Sequence, residues 1–336
     1  MNRILLIIFL ILLLAGGYFV FFRNNDALID LSDRAFAVEN TDKVQKIFIA
    51  HRDGDTFLLE RDGNDWTVND EYRVFPNAMR NLLEVLGKME VEYIPTKAAI
   101  PSIVRDMSSI GCKVEVYDRS GEKIRNFYVG GTDPAARSTY MIVEGKEQPY
   151  AMFIPYWEGN LRERFLLKLN DWRDRSIFRE DPEDISKVTI KYPRSAASGF
   201  ELVKKGSRNY EVRRTEGLGQ AENRELSRGA VERFLYAFEL VGAESIDNDN
   251  PRKNEVRQFV PLCTLKLERA DGSVDSLAFW PYNFNDEKID FSEDFLAKGP
   301  FRYFADMNGE DFLLMQQPVL KDILVTYDYF FEVPRD

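Results

Sequence analysis

The chain has 336 residues, of which 44% are hydrophobic and 13% aromatic, enough to bury two cores of ordinary size and too much for disorder along its length. A formal charge of −11 argues against a nucleic-acid backbone as partner and against peripheral docking on anionic lipid. One histidine, His51, and two cysteines, Cys112 and Cys263, are too few for a zinc site.

The first predicted element is the charge-free run from Ile4 to Phe22, whose helical length of roughly 28 Å matches a bilayer's hydrocarbon core. Ala15-Gly16-Gly17 offers the small residues of a cleavage site, but Tyr18 to Phe22 carries the apolar run beyond them, so an uncleaved signal-anchor is expected. Arg3 and the α-amine precede the run, while Arg23, Asp26, Asp30 and Asp33 come after it. The charge bias points the N-terminus inward and the bulk of the chain outward. For a bacterial chain this means a single-pass inner-membrane protein with a periplasmic body. Residues 1–23 form the anchor and 24–42 a juxtamembrane linker in this reading.

From Val44 onward the chain spells one pattern twice. VQKIFIAHRDGDTFLLERDGNDWTV from Val44 and ISKVTIKYPRSAASGFELVKKGSRNYEV from Ile185 both alternate with period two and break at glycine-containing turns, as half-buried antiparallel strands do. Met79, Leu82, Leu83, Leu86 and Met89 then mark one face of a helix. Val231, Phe234, Leu235, Phe238 and Val241 repeat the same offsets. Pro76 and Ser227 stand near the two helix starts. Next come CKVEVYDRSGEK and CTLKLERADGSV, each a hairpin with glycine nine places after its cysteine. A closing helix from about Glu158 is expected to bury Leu161, Phe165, Leu169 and Trp172. The fold class expected is therefore α+β: two tandem pseudo-repeats of antiparallel sheet plus helices, at 43–183 and 184–336, preceded by one N-terminal transmembrane helix.

The order of Gly111-Cys112, Tyr128-Val129-Gly130-Gly131, Tyr140 and Arg173-Asp174-Arg175 resembles domain-of-unknown-function family 4340. The likeness covers most of residues 43 to 190 and, more faintly, the second copy, which has Phe279-Trp280-Pro281-Tyr282 in place of Tyr-Val-Gly-Gly. The resemblance implies a membrane anchor, tandem α+β modules and, for some members, a place beside gliding-type ABC transporter components. It implies no activity.

No catalytic, cofactor or metal site is expected. His51 has no nucleophile elbow or partner carboxylate that the sequence can place, and no phosphate-cradling glycine motif occurs. The acidic turns Asp53-Gly54-Asp55 and Asp247-Asn248-Asp249-Asn250 invite a calcium reading but lack an EF-hand's spacing. Arg162, Arg164, Lys168, Arg173, Arg175 and Arg179 could form a phosphate surface, or an ion-paired face with the acidic residues among them. The two cysteines could be bridged or separately buried.

The copies differ most where the short loop before Tyr140 is replaced by WPYNFNDEKIDFSEDFLAKGP, residues 280–300. Its Trp280, Tyr282, Phe284, Phe291 and Phe295 are candidate partner-binding residues, with capping of an open sheet edge as the alternative. The expected function is a non-enzymatic scaffold or accessory subunit, inserted in the membrane and bound to another envelope protein. The alternatives are a ligand-binding module for a sugar or apolar envelope component, marked by a cleft at Trp157, Trp172 or Trp280, and an acidic-residue hydrolase.

Overall fold

Alternation in Val44–His51 and Cys112–Asp118 sets the architecture, because pairing these two strands turns Val44, Ile47, Ile49, Cys112, Val114 and Val116 to one face. The structure, a computed structural model, describes residues 35–157, 159–206, 209–215, 224–282 and 301–331. The chain divides into two compact units at the Trp172–Arg173 bond. The expected span from Ile4 to Phe22 lies outside the described residues; among the described residues no helix is long and apolar enough to cross a membrane.

In the first unit the order is β1 (Val44–His51), β2 (Thr56–Asp62), β3 (Asp65–Val68), β4 (Tyr72–Arg73), α1 (Pro76–Lys88), β5 (Glu90–Tyr93), α2 (Ile100–Ile110), β6 (Cys112–Asp118), β7 (Lys123–Thr132), β8 (Thr139–Val143) and β9 (Tyr150–Phe153). They form one antiparallel sheet ordered β4-β3-β2-β1-β6-β7-β8-β9-β5.

The second unit has β10 (Ser176–Phe178), β11 (Ile185–Lys191), β12 (Phe200–Gly206), β13 (Asn209–Arg214), α3 (Arg228–Tyr236), β14 (Val241–Gly242), β15 (Ser245–Ile246), α4 (Lys253–Val256), β16 (Cys263–Arg269), β17 (Val274–Pro281), β18 (Arg302–Met307) and β19 (Asp311–Gln316). Its large sheet runs β13-β12-β11-β16-β17-β18-β19-β15, the same order with no counterpart of β4 among the described residues, and β10 pairs with β14 in a separate two-stranded sheet.

The correspondence extends to single residues. Ile47 faces Val116 and Ile49 faces Val114 in the first sheet; Val188 faces Leu267 and Ile190 faces Leu265 in the second. Each pairing has a register shift at the same place, between Val44 and Lys46 and between Ile185 and Lys187. Both hairpin turns put glycine at positive φ, Gly121 at +84° and Gly272 at +87°, with its N–H donating to Asp118 or Arg269. Lys46 pairs with Glu60 directly opposite (2.8 Å); the equivalent Lys187 pairs with Glu201, two places along the neighbouring strand (3.1 Å).

Helix α1 buries Met79, Leu82, Val85 and Leu86 against the inner face of its sheet, which presents Cys112, Val114, Val116, Phe127 and Val129. Pro76 opens it, needing no N–H there, and Lys88 in its last turn pairs with Glu84 at 2.8 Å. Truncating Leu82, fully buried, to Ala would cost about 2–5 kcal/mol. Helix α3 buries Val231, Phe234 and Leu235 in the second core, and the Ser227 side chain accepts from the Ala230 N–H. The five-residue face expected to continue to Val241 ends early. Phe238 is buried after the helix stops, and Val241 is taken by its pairing with Phe178 in β10.

Two further differences are physical. The closing helix expected from about Glu158 is two short turns, Arg162–Arg164 and Leu169–Trp172, the second begun by the Asp171 carboxylate accepting from the Lys168 N–H. Leu161, Phe165 and Trp172 are buried as expected, by turns and not by a continuous coil. Helix α2 is an addition to the expected elements, although Ile100, Ile103, Val104 and Met107 have helical spacing.

Each hairpin glycine has open space where a Cβ would project, so replacing it tests backbone conformation alone. Gly121→Val and Gly272→Val should each destabilise by about 1–2 kcal/mol in urea unfolding. Gly229→Ala, inside α3 and also in open space, should stabilise by about 0.5–1 kcal/mol.

Candidate functional site

Trp280 and Tyr282 stand where β17 runs into the long insertion. In the second sheet's alternation Phe279 points into the main core and Trp280 to the opposite face. There Trp280 joins Val256 of α4, Phe304 and Phe312 in a small second core, and its Nε1 donates to the Phe259 carbonyl at 3.0 Å. Phe304 stacks on Phe312 at 5.2 Å, and Arg257 pairs with Asp306 beside them. Trp280 is therefore 5% exposed and structural, whereas Tyr282 is 36% exposed with its ring 4.9 Å from Phe304. Val260 and Phe301 add apolar surface at 52% and 64% exposure. Phe284, Phe291 and Phe295 lie outside the described residues. The insertion's roots are in two central strands, β17 and β18, and not at a sheet edge.

The same face carries a cavity of about 390 Å³ over Thr264, Lys266, Ser276, Asp306 and Asn308. Its polar groups are largely spent on one another: Asn308 holds Ser276 and Asp275, and Lys266 pairs with Glu268 at 3.1 Å.

His51, at the end of β1, is oriented by its Nε2, which donates to the Phe165 carbonyl at 2.8 Å, and by an edge contact with Phe57. Its possible ligand atom and those of Asp53 and Asp55 lie within 4.8 Å of one another. The Lys168 ammonium bridges both carboxylates, 2.9 Å from Asp55, and its hydrogen bond holds the Asp53 carboxyl below its usual range. A cation would have to displace that ammonium. At the second acidic turn Asn250 donates to Asp247, while Asn248 accepts from the Phe312 N–H and donates to Asp311, so the groups do not converge on an ion.

The basic run resolves into separate contacts. Arg162 donates 2.6 Å bonds to the carbonyls of Ile110 and Gly130, tying the C-terminal end of α2 to β7. Lys168 serves Asp53 and Asp55, Arg173 grips Asp311 at 2.9 and 2.6 Å, Arg175 reaches the Glu244 carbonyl and Arg179 pairs with Asp174. Arg164 instead lies 5.7 Å over the Trp157 ring. Lys168 and Arg173 thus pair with carboxylates outside the run, and Arg179 with Asp174 inside it.

The glycines at this junction have a steric reason. A Cβ on Gly111 would meet the Met107 oxygen at 2.3 Å, and one on Gly130 would meet Met107 Cε at 2.9 Å, so α2 reaches β7 only because both lack side chains. Tyr140 lies on the neighbouring strand, its hydroxyl 3.0 Å from that of Tyr93, whose pKa burial pushes up. Residues 104–258 match the model of the domain of unknown function DUF4340. That stretch is similar to this domain. It starts within α2, ends after α4 and holds the Gly111, Gly130, Tyr140 and Arg173-Asp174-Arg175 positions. It begins later and reaches further than the likeness read over 43 to 190, and it coincides with neither compact unit. No curated protein and no solved structure matches the chain.

The outer face of the first sheet carries a polar network that strand periodicity alone does not reveal. Glu115, 9% exposed, accepts from Lys113 and Lys123 at 2.8 Å and from the Tyr117 hydroxyl at 2.5 Å; Lys113 also reaches Glu144 at 2.8 Å. Burial raises the Glu115 pKa, but these three donors outweigh it and hold the carboxyl at about 2. A depressed folded pKa stabilises above the unfolded value near 4.5 and loses that contribution as pH falls toward 2. Glu115→Gln should therefore be less stable than wild type at pH 7, with the gap closing between about pH 4.5 and 2 in urea titrations.

Proposed function

We propose that the protein is a non-enzymatic, single-pass envelope scaffold, anchored in the bacterial inner membrane by residues 4–22 with both halves periplasmic. Its two halves are a tandem duplication, and the outer face of the second half binds another protein of a membrane complex. The apolar run and the charges on either side of it support the setting. The shared strand order and register support the duplication.

One observation carries the binding reading: Val260, Tyr282 and Phe301 remain exposed around an anchored Trp280, at the point where the second half departs most from the first. An apolar patch on a rigid sheet, framed by the Arg257–Asp306 pair and Lys266, has the composition of a protein interface core with a polar rim. His51, Asp53, Asp55 and most of the basic run spend their polar groups on internal partners, which favours a scaffold over a hydrolase.

Photo-crosslinking from position 301 in native membranes should capture one recurring partner. Val260→Asp and Phe301→Asp should lower its yield severalfold while moving stability by no more than about 0.5 kcal/mol. Trp280→Ala is the wrong probe, since emptying its buried place costs about 3–5 kcal/mol. A protein that stays alone under crosslinking would contradict the proposal.

A further inference from the structure

The last strand of each large sheet leads into the same local pattern with opposite results. Thr139 faces Met152 in the first sheet and Tyr303 faces Met315 in the second, which aligns Ile154-Pro155-Tyr156-Trp157 with Gln317-Pro318-Val319-Leu320. In the second half these residues make a helical turn that buries Leu320. In the first they make a turn closed by the Trp157 N–H on the Ile154 carbonyl, and the two aromatics point outward. Tyr156 is fully exposed and sits at φ +63°, a left-handed conformation that glycine or asparagine would adopt at lower cost.

Strain together with exposure marks a side chain whose position serves something other than the fold. Tyr156 and Trp157 border a cleft of about 220 Å³ against the polar side of α1. Val85 and Ile154 give it an apolar floor, and Asn81, Glu84 and Arg164 supply polar groups. Glu84 is held by Lys88 and keeps free acceptor positions. Among the described residues, the Asn81 and Arg164 side chains have no hydrogen-bond acceptor; Arg164 overlies the Trp157 ring and acts on the Glu84 carboxylate through its charge. A Cβ on Gly159, at φ +116°, would project to 3.4 Å from that indole.

The geometry points to a saccharide-binding subsite in the first half, with one pyranose ring stacked on Trp157 and Tyr156 and its hydroxyls held by Asn81, Glu84 and Arg164. A sugar ring matches this lining because it offers an apolar C–H face to an aromatic and a rim of hydroxyls to planar amide, carboxylate and guanidinium groups. Only the first half has the site, since the equivalent Val319 and Leu320 are packed inward. It rests on residues of the first half alone and stands apart from the partner-binding reading.

The test uses the full chain in a detergent without a sugar headgroup. The probes are glucose, N-acetylglucosamine, cellobiose and chitobiose, read by saturation transfer from protein to ligand. Transfer should appear at the ring C–H protons of at least one probe, and Trp157→Ala and Arg164→Ala should each weaken binding about tenfold. Tyr156→Gly should weaken binding while raising the melting temperature, a combination that loss of a structural residue does not produce. No transfer to any probe at about 10 mM, or binding unchanged in the Trp157 and Arg164 variants, would overturn the assignment. So would loss of a protein crosslink in those variants with no sugar bound.

Discussion

The pairing of β1 with β6, and of β11 with β16, is the constraint on which the rest depends. It joins strands some sixty to eighty residues apart, so a large loop must close before any of its hydrogen bonds form. In return it fixes which face is which. With Ile47 on Val116 and Ile49 on Val114, the apolar set faces α1 and the charged set faces outward. A slip by one residue would drive Lys113 and Glu115 into the core. The shift between Val44 and Lys46, repeated between Ile185 and Lys187, is part of that register and not a local accident.

Around this fixed centre the two halves diverge at the periphery. The connection between β7 and β8 in the first sheet is a short turn in which buried Asp133 accepts from the N–H groups of Arg137 and Ser138. Its counterpart in the second half is the long aromatic insertion, with Trp280 drawn into a core of its own. The turn after the last strand exposes Tyr156 and Trp157 in one half and buries Leu320 in the other. The first outer face is knit by Glu115 and its donors; the second has Lys266 at the equivalent place, paired with Glu268. Sheet cores are costly to alter and loop ends tolerant, so the differences collect there.

Much of this was legible in the residues. Period-two alternation gave the strands, the positions of Gly121 and Gly272 gave the hairpins, and Met79 through Leu86 gave α1. The misses share a cause: local periodicity cannot see a tertiary competitor. Val241 fits a helical face but is claimed by β10, and Leu161 to Trp172 fits one helix but is divided when Asp171 starts a new turn. Trp280 was legible as an aromatic at an insertion, but its burial depends on Val256 of α4 packing beside it, which no local pattern announces. The glycines of Tyr128-Val129-Gly130-Gly131 stood out by family likeness, while their reason, the approach of α2, is visible only in three dimensions.

Each cysteine lies in its own core, on the strand that pairs with the first strand of its own large sheet. Both are free thiols, and burial pushes Cys112 up to about 12 and Cys263 higher still. Alkylation and then intact mass is the most direct test. The account predicts that neither thiol reacts in the folded protein and that both react after unfolding without reductant. A Cys112–Cys263 disulfide, or rapid labelling of either thiol in the native state, would contradict it.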